Sequence, residues 1–196
     1  MLVFLDFEAS SLARHSYPIE VAWVFEDGAS EAHLIRPAPG WDDWDAAAEA
    51  IHRIPRATLL AEGVAHDAVA RRMVEQLAGH DLTASAPSWD GKWLSTLLRA
   101  ACLPRHALRL RDTDAAQRDI ARDMLRDKVP ADRLDATVEN IRIQTIATRS
   151  GANPAHRALA DAIEERERWR AVRDAAAQFR DAQGPHPAIF VTQADE

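Results

Sequence analysis

The chain opens on Leu2-Val3-Phe4-Leu5 and continues through Asp6-Phe7-Glu8 in alternation, so Leu2–Glu8 reads as a buried strand with two acids on one face. Ile19–Glu26 gives a second strand with Trp23 and Phe25 on the same side, and Glu31–Arg36 a third. Asp27-Gly28 between them is a hairpin signal, because glycine tolerates the positive φ of tight turns. Pro37, Pro39 and Gly40 end the third strand, so the first forty residues predict an antiparallel meander.

The period then changes from two to that of a helix. Asp42–His52 and Asp67–Leu77 have helical spacing, and Pro55 suits the first turn of a short helix between them. Leu82–Ala86 predicts a short strand, Gly91–Cys102 a helix, His106–Arg111 a strand and Thr113–Arg126 an amphipathic helix. Ala131–Thr148 follows as a helix stopped by Ser150-Gly151. Asn153-Pro154 is a start signal for a last helix running to about Gln183, where Gly184-Pro185 ends it. Its Glu164, Glu165, Arg166, Glu167, Arg168 and Arg170 predict a solvated charge ladder. Strands joined by helical crossovers must run parallel. The fold class is therefore α/β, with one mixed five-stranded sheet, three antiparallel strands then two parallel, flanked by helices. No linker or repeat divides the chain. Residues 1–183 are expected as one domain and 184–196 as a tail, in which Ala188–Gln193 could add an edge strand.

Composition narrows the function. At 196 residues and 47% apolar the chain can build a true core, and a net charge of −7 argues against coating duplex DNA by charge alone. The first fifty residues hold ten acids against two arginines. Lys92, Arg99, Arg105, Arg109 and Arg111 then form a run without an acid, which suits a surface that contacts phosphates beside a metal site, or simple variation of charge along the chain. Cys102 is the single cysteine, so neither an intrachain disulfide nor a cysteine-based zinc site can form. No run approaches the roughly 18 apolar residues of a membrane span, and the opening lacks the features of a signal peptide. A cytoplasmic protein with no membrane partner is expected.

Asp6 and Glu8 are the most informative pair. Two carboxylates side by side in a sheet must lose water and repel each other, and a divalent cation relieves both costs. Oxygen ligands of this kind suit Mg²⁺ or Mn²⁺. A frayed strand end or pairing with arginine would relieve them too. His156 and Asp161 stand five apart near the start of the last helix, His156 in its first turn and Asp161 more than a turn inside. Asp90, in Ser88-Trp89-Asp90-Gly91, is either a functional carboxylate or the N-cap of the helix after it.

Asp6-Phe7-Glu8 with Ala9-Ser10, Trp89-Asp90 ahead of Leu97, and His156 with Asp161 together resemble the three motifs of the DEDD exonuclease superfamily, in its DEDDh branch. Ile51-His52-Arg53-Ile54-Pro55 is similar to a His-Gly-Ile segment of that branch, with Arg53 in place of glycine. The resemblance runs from residue 1 to about 165. It implies an RNase H-like fold and metal-dependent 3′–5′ hydrolysis of phosphodiester bonds with two divalent cations, Mg²⁺ or Mn²⁺. Asp6 would bridge both ions, Glu8 and Asp161 would hold the one on the nucleophile side, and Asp90 would act on the other through water. His156 would deprotonate the attacking water. Phe7, Ala9 and Ser10 would line the terminal nucleotide and Leu12 would wedge a base, unless it is plain core; His52 and Trp89 complete the implied substrate contacts. Trp41, Trp44 and Trp93 could also stack on bases, although the helical spacing of Trp93 from Leu97 places it in the core. The expected partner is the 3′ end of a single strand, RNA or short oligonucleotides ahead of long DNA, and the branch often forms homodimers. The alternatives are a DNA proofreading or repair exonuclease and a binding module without catalysis on the same fold.

Overall fold

A computed structural model describes residues 1–149 and 156–183. The expected start and stop signals at 150–154 and the edge strand at 188–193 lie outside the described residues. Two compact units form, residues 1–116 with 156–169, and residues 117–149 with 170–183.

The first unit is built on a sheet of β1 (Leu2–Ala9), β2 (Pro18–Phe25), β3 (Ser30–Arg36), β4 (Val64–Ala65), β5 (Asp81–Ala84) and β6 (Leu110–Asp112) in the order β4-β3-β2-β1-β5-β6. The meander is present, with β2 antiparallel to both β1 and β3, and β5 and β6 run parallel to β1. The sheet has six strands where the sequence predicted five. The sixth, β4, is two residues long and pairs parallel with Ile35 and Arg36. Gly63 permits it: a Cβ there would lie 2.3 Å from the Leu59 carbonyl oxygen and 2.7 Å from the Arg36 nitrogen.

Between the strands lie α1 (Ala46–His52), α2 (Arg56–Glu62), α3 (His66–Leu77) and α4 (Pro87–Ala100). Asp45 caps α1 by accepting from the Ala47 nitrogen at 2.8 Å, so the helix begins four residues later than its spacing suggested. Val3, Leu5, Phe7 and Ala9 of β1 pack with Val21 and Trp23 against Val69, Met73 and Leu77 of α3 and Trp93, Leu94, Leu97 and Leu98 of α4. Each is essentially sealed from solvent, and a fully buried side chain of this size contributes about 1.5–3 kcal/mol.

The other face of β1 carries Phe4, Asp6 and Glu8 and meets α7 (Ala158–Ala182). Phe4 packs on Trp169, ring centroids 5.8 Å apart. Asp161 and Glu165 precede Trp169 at four-residue steps and meet the acid end of β1. Two residues of strand rise about 6.6 Å and four of helix about 6 Å, so the two ladders stay level over three rungs. Phe4 with Trp169 is the apolar rung, and the two above it are acidic.

In the second unit, part of α5 (Thr113–Leu125), α6 (Ala131–Arg149) and the later half of α7 enclose Leu125, Val138, Ile141, Val172 and Ala176. Glu139 is held by Arg142 at 2.6 Å and Arg118 at 3.2 Å, and these guanidinium groups pull its carboxyl down to about 2.

Arg53 ends α1 with φ of 57°, a left-handed conformation that suits glycine. Arg53→Gly should relieve the roughly 1–2 kcal/mol of that conformation and give back part of it through unfolded-chain entropy. A net gain of about 0.5–1 kcal/mol in urea unfolding is expected, and a loss of stability would show that the Arg53 side chain holds the turn.

Candidate metal centre

The later half of β1 is open on one edge. β5 pairs with β1 only over Leu2, Val3 and Phe4, so past that point Asp6 and Glu8 keep β2 on one side and face a crevice on the other. A crevice beyond the carboxyl ends of parallel strands is the usual ligand position in α/β sheets. α4 starts beside it with Pro87 in its first turn. Asp90 therefore lies inside the first turn of α4, its nitrogen donating to the Ala86 carbonyl at 3.0 Å, and is not the N-cap of a helix from Gly91. It is 2% exposed, and its Oδ2 has no hydrogen-bond partner.

α7 closes the other side. His156 and Arg157 are not helical, so the helix begins at Ala158, later than Asn153-Pro154 signalled. His156 thus precedes the helix instead of occupying its first turn, and Asp161, expected deeper, lies in that turn. The cause is capping at a distance: Glu20 of β2 accepts from the Ala158 nitrogen at 3.0 Å, and Asp161 accepts from the Arg157 nitrogen at 3.2 Å. Carboxylate oxygens of Asp6, Glu8 and Asp161 come within 4.8 Å of one another.

Crowding of like charges in a partly dry site shows in the protonation of the group. Burial, then Asp90, Glu8, Asp161 and Glu165, push the Asp6 carboxyl up to about 9. Burial, Asp161 and Glu20 push Glu8 up to about 8, against the opposing pull of Arg157. Burial raises Asp90 to about 7, although backbone hydrogen bonds draw it the other way.

Two further acids lie beside the cluster. Glu165 was read as part of a solvated ladder, yet it is largely buried, with its carboxyl raised by burial, and it lines a cleft of about 210 Å³ with Asp6, Ser85, Asp161, Glu164 and Arg168. Arg168 neutralises it from 2.7 Å. Its signal was the four-residue step from Asp161. Glu20 stands directly across the sheet from Glu8, and its signal was a carboxylate inside the apolar strand Pro18–Phe25.

The remaining candidates divide. His156 is exposed, with φ of 50°. Phe7 and Ala9 send their side chains into the core on the far face of β1, which leaves their backbone for the crevice side. Ser10 is buried, its Oγ accepting from the Tyr17 nitrogen and donating to Asp43. Leu12 is 68% exposed and is not core. Trp89 is 38% exposed, stacked on Trp93 with the Lys92 ammonium 5.0 Å above its ring. His52 is buried, its Nδ1 accepting from the Ile54 nitrogen and its Nε2 without a partner. Trp41 stacks on Tyr17, Trp44 donates to Glu49, and Trp93 is core. The basic run is not one open strip: Lys92 is bound to the Ala13 carbonyl and Ser16, and Arg111 to Asp81.

No protein-family model matches the sequence, and no curated protein matches it. Solved structures do. Escherichia coli exonuclease I in complex with a dA16 oligonucleotide matches at TM-score 0.64 and 17% identity over 92% of this chain and 42% of that one. A moderately thermophilic exonuclease I from Methylocaldum szegediense matches at TM-score 0.65 and 18% identity over 92% and 42%. A product-bound exonuclease I matches at TM-score 0.62 and 16% identity over 92% and 45%. The fold is the RNase H-like fold of exonuclease I. The chain spans less than half the length of those exonuclease I chains.

The donor set fits a hard divalent cation. It is all oxygen, it has an unpartnered buried Oδ2 at Asp90, and its charges repel unless protonated or neutralised. Asp6, Glu8 and Asp161 are the residues placed to hold one, with Asp90 beside them. Without metal the folded protein retains protons that the unfolded chain, with ordinary carboxyls near 3.8 and 4.5, has released. The stability that Asp6 and Glu8 contribute in EDTA is therefore fully present below about pH 4 and is lost as pH rises through their folded values near 9 and 8. Millimolar Mn²⁺ should raise Tm, more at pH 8 than at pH 5, by about 2.7 kcal/mol of stability at a hundredfold excess over Kd. Asp6→Asn should flatten the pH slope and blunt the Mn²⁺ gain; a Tm indifferent to both pH and Mn²⁺ would contradict the carboxylate cluster.

Proposed function

We propose that the protein is a divalent-cation-dependent 3′–5′ exonuclease of the DEDDh branch, acting on single-stranded nucleic acid. The observation that carries this is the convergence of Asp6, Glu8 and Asp161, with Asp90 adjoining, at the crevice of a sheet shared with exonuclease I. Acids at positions 6, 90 and 161, each more than 70 positions from the next, come to one place at a cost that a cationic ligand offsets.

In this reading Asp6, Glu8 and Asp161 would hold the divalent cations, Mg²⁺ or Mn²⁺, two in number, and Asp90 would support them through water. Such cations supply charge stabilisation for the entering and leaving oxygens of an in-line displacement. His156 takes the proton of the attacking water on an imidazole nitrogen, a task that its exposed position before α7 allows. The exposed Leu12 and Trp89 offer apolar and aromatic surface to bases, which is tolerant of sequence. The backbone of Phe7 and Ala9, with Ser10 and His52, borders the terminal nucleotide. The exonuclease I structures include complexes with dA16 and dT13, which favours single-stranded DNA as the first substrate to try, with RNA of the same sequence beside it.

A 5′-labelled single strand should be shortened one nucleotide at a time from its 3′ end with Mn²⁺ or Mg²⁺, and stay intact in EDTA. Asp6→Ala should lower the rate by more than about 100-fold, since loss of a mere supporting partner of a metal ligand costs 10–100-fold. Equal cleavage by wild type and Asp6→Ala would point to a contaminating nuclease and remove the proposal.

A further inference from the structure

His156 has a left-handed backbone conformation. The residue after it makes a contact across 137 positions of sequence. The Arg157 guanidinium grips Glu20 as a fork, Nε at 3.1 and 3.2 Å and Nη2 at 2.7 Å. Glu20 is 4% exposed, and the same carboxylate accepts from the Ala158 nitrogen at 3.0 Å. The Arg157 nitrogen in turn donates to Asp161. Two consecutive residues at the head of α7, Arg157 and Ala158, are thereby tied, through one buried acid, to the position on β2 directly opposite Glu8.

We infer that Glu20 and Arg157 are positioning residues for the metal centre, an inference that rests on the exonuclease reading only for its kinetic arm. The fork fixes the azimuth and height of α7 against β1, and with them the approach of Asp161 to Asp6 and Glu8 and the presentation of His156. A bidentate guanidinium–carboxylate pair supplies direction as well as strength, which a lysine could not. Three carboxylates that repel one another would otherwise drive the helix head away from the strand.

Charge and position make opposite predictions, and this separates them. Arg157 is a cation near Glu8, so by electrostatics alone its removal should tighten binding of a divalent cation. If it positions Asp161, its removal should weaken binding. Mn²⁺ affinity, followed by electron paramagnetic resonance of the free ion, is expected to fall at least about 10-fold in Arg157→Ala and Arg157→Lys. The double variant Glu20→Gln/Arg157→Gln leaves no unpaired ion in the sheet and should fold. It should also bind more weakly, since the fork is lost. In the nuclease assay kcat should drop about 10–100-fold with KM within about threefold. Added guanidinium should restore part of the Arg157→Ala loss. Unchanged or tighter Mn²⁺ binding in all three variants would overturn the inference. Were the wild type to bind Mn²⁺ yet cut no strand, the exonuclease reading would fall, and the affinity comparison would still decide this one.

Discussion

The crowding of half-buried carboxylates, short of water and repelling one another, is the constraint around which the first unit is organised. Asp6, Glu8, Asp90 and Asp161 are drawn from a strand and two helices, and each of the first three has its carboxyl lifted well above the ordinary range mainly by burial. A core could not hold such a group unless rigid elements opposed the repulsion. Apolar packing supplies that rigidity. Odd-numbered residues of β1 are locked against α3 and α4, and Phe4 is locked against Trp169 just below the acids. The strand cannot rotate to relieve the strain without exposing one of its two buried faces.

The same logic explains the arrangement of neighbouring charges. Glu20 and Glu165 would add to the repulsion were they bare, and each is met by an arginine, Arg157 and Arg168 respectively. Arg168 lines the cleft together with Glu164 and Glu165, both of which it pairs with. Among the described residues Asp6, Glu8, Asp90 and Asp161 have no arginine at ion-pair distance. Neutralisation is thus uneven: Glu20 and Glu165 each hold a guanidinium, and the clustered carboxylates do not. Proteins spend stability in this way at sites where a charge has chemical work to perform.

Much of this was legible in the sequence because it rests on local periodicity. Alternation placed Asp6 and Glu8 on one face of a strand, and the meander followed from turn residues such as Asp27-Gly28. What escaped depended on contacts between distant residues. The head of α7 is set by Glu20, so the capping signal at Asn153-Pro154 misplaced the helix start and, with it, the depth of Asp161. β4 is too short to show a period and exists because Gly63 lets two backbones meet. Glu165 looked like its charged neighbours, since a helical ladder does not reveal which of its rungs turns inward until the opposing strand is known.

The matched steps of β1 and α7 also bear on how this chain can vary. Replacing a side chain alters one rung. Adding or deleting a single residue between Asp161 and Trp169 turns everything beyond it by about 100° about the helix axis. The aromatic anchor would then remain in place while the acid swung out of the crevice. Length along that stretch of nine residues is consequently a stricter inheritance than identity, and an alignment that opens a gap there would describe a protein with this core and a different chemistry.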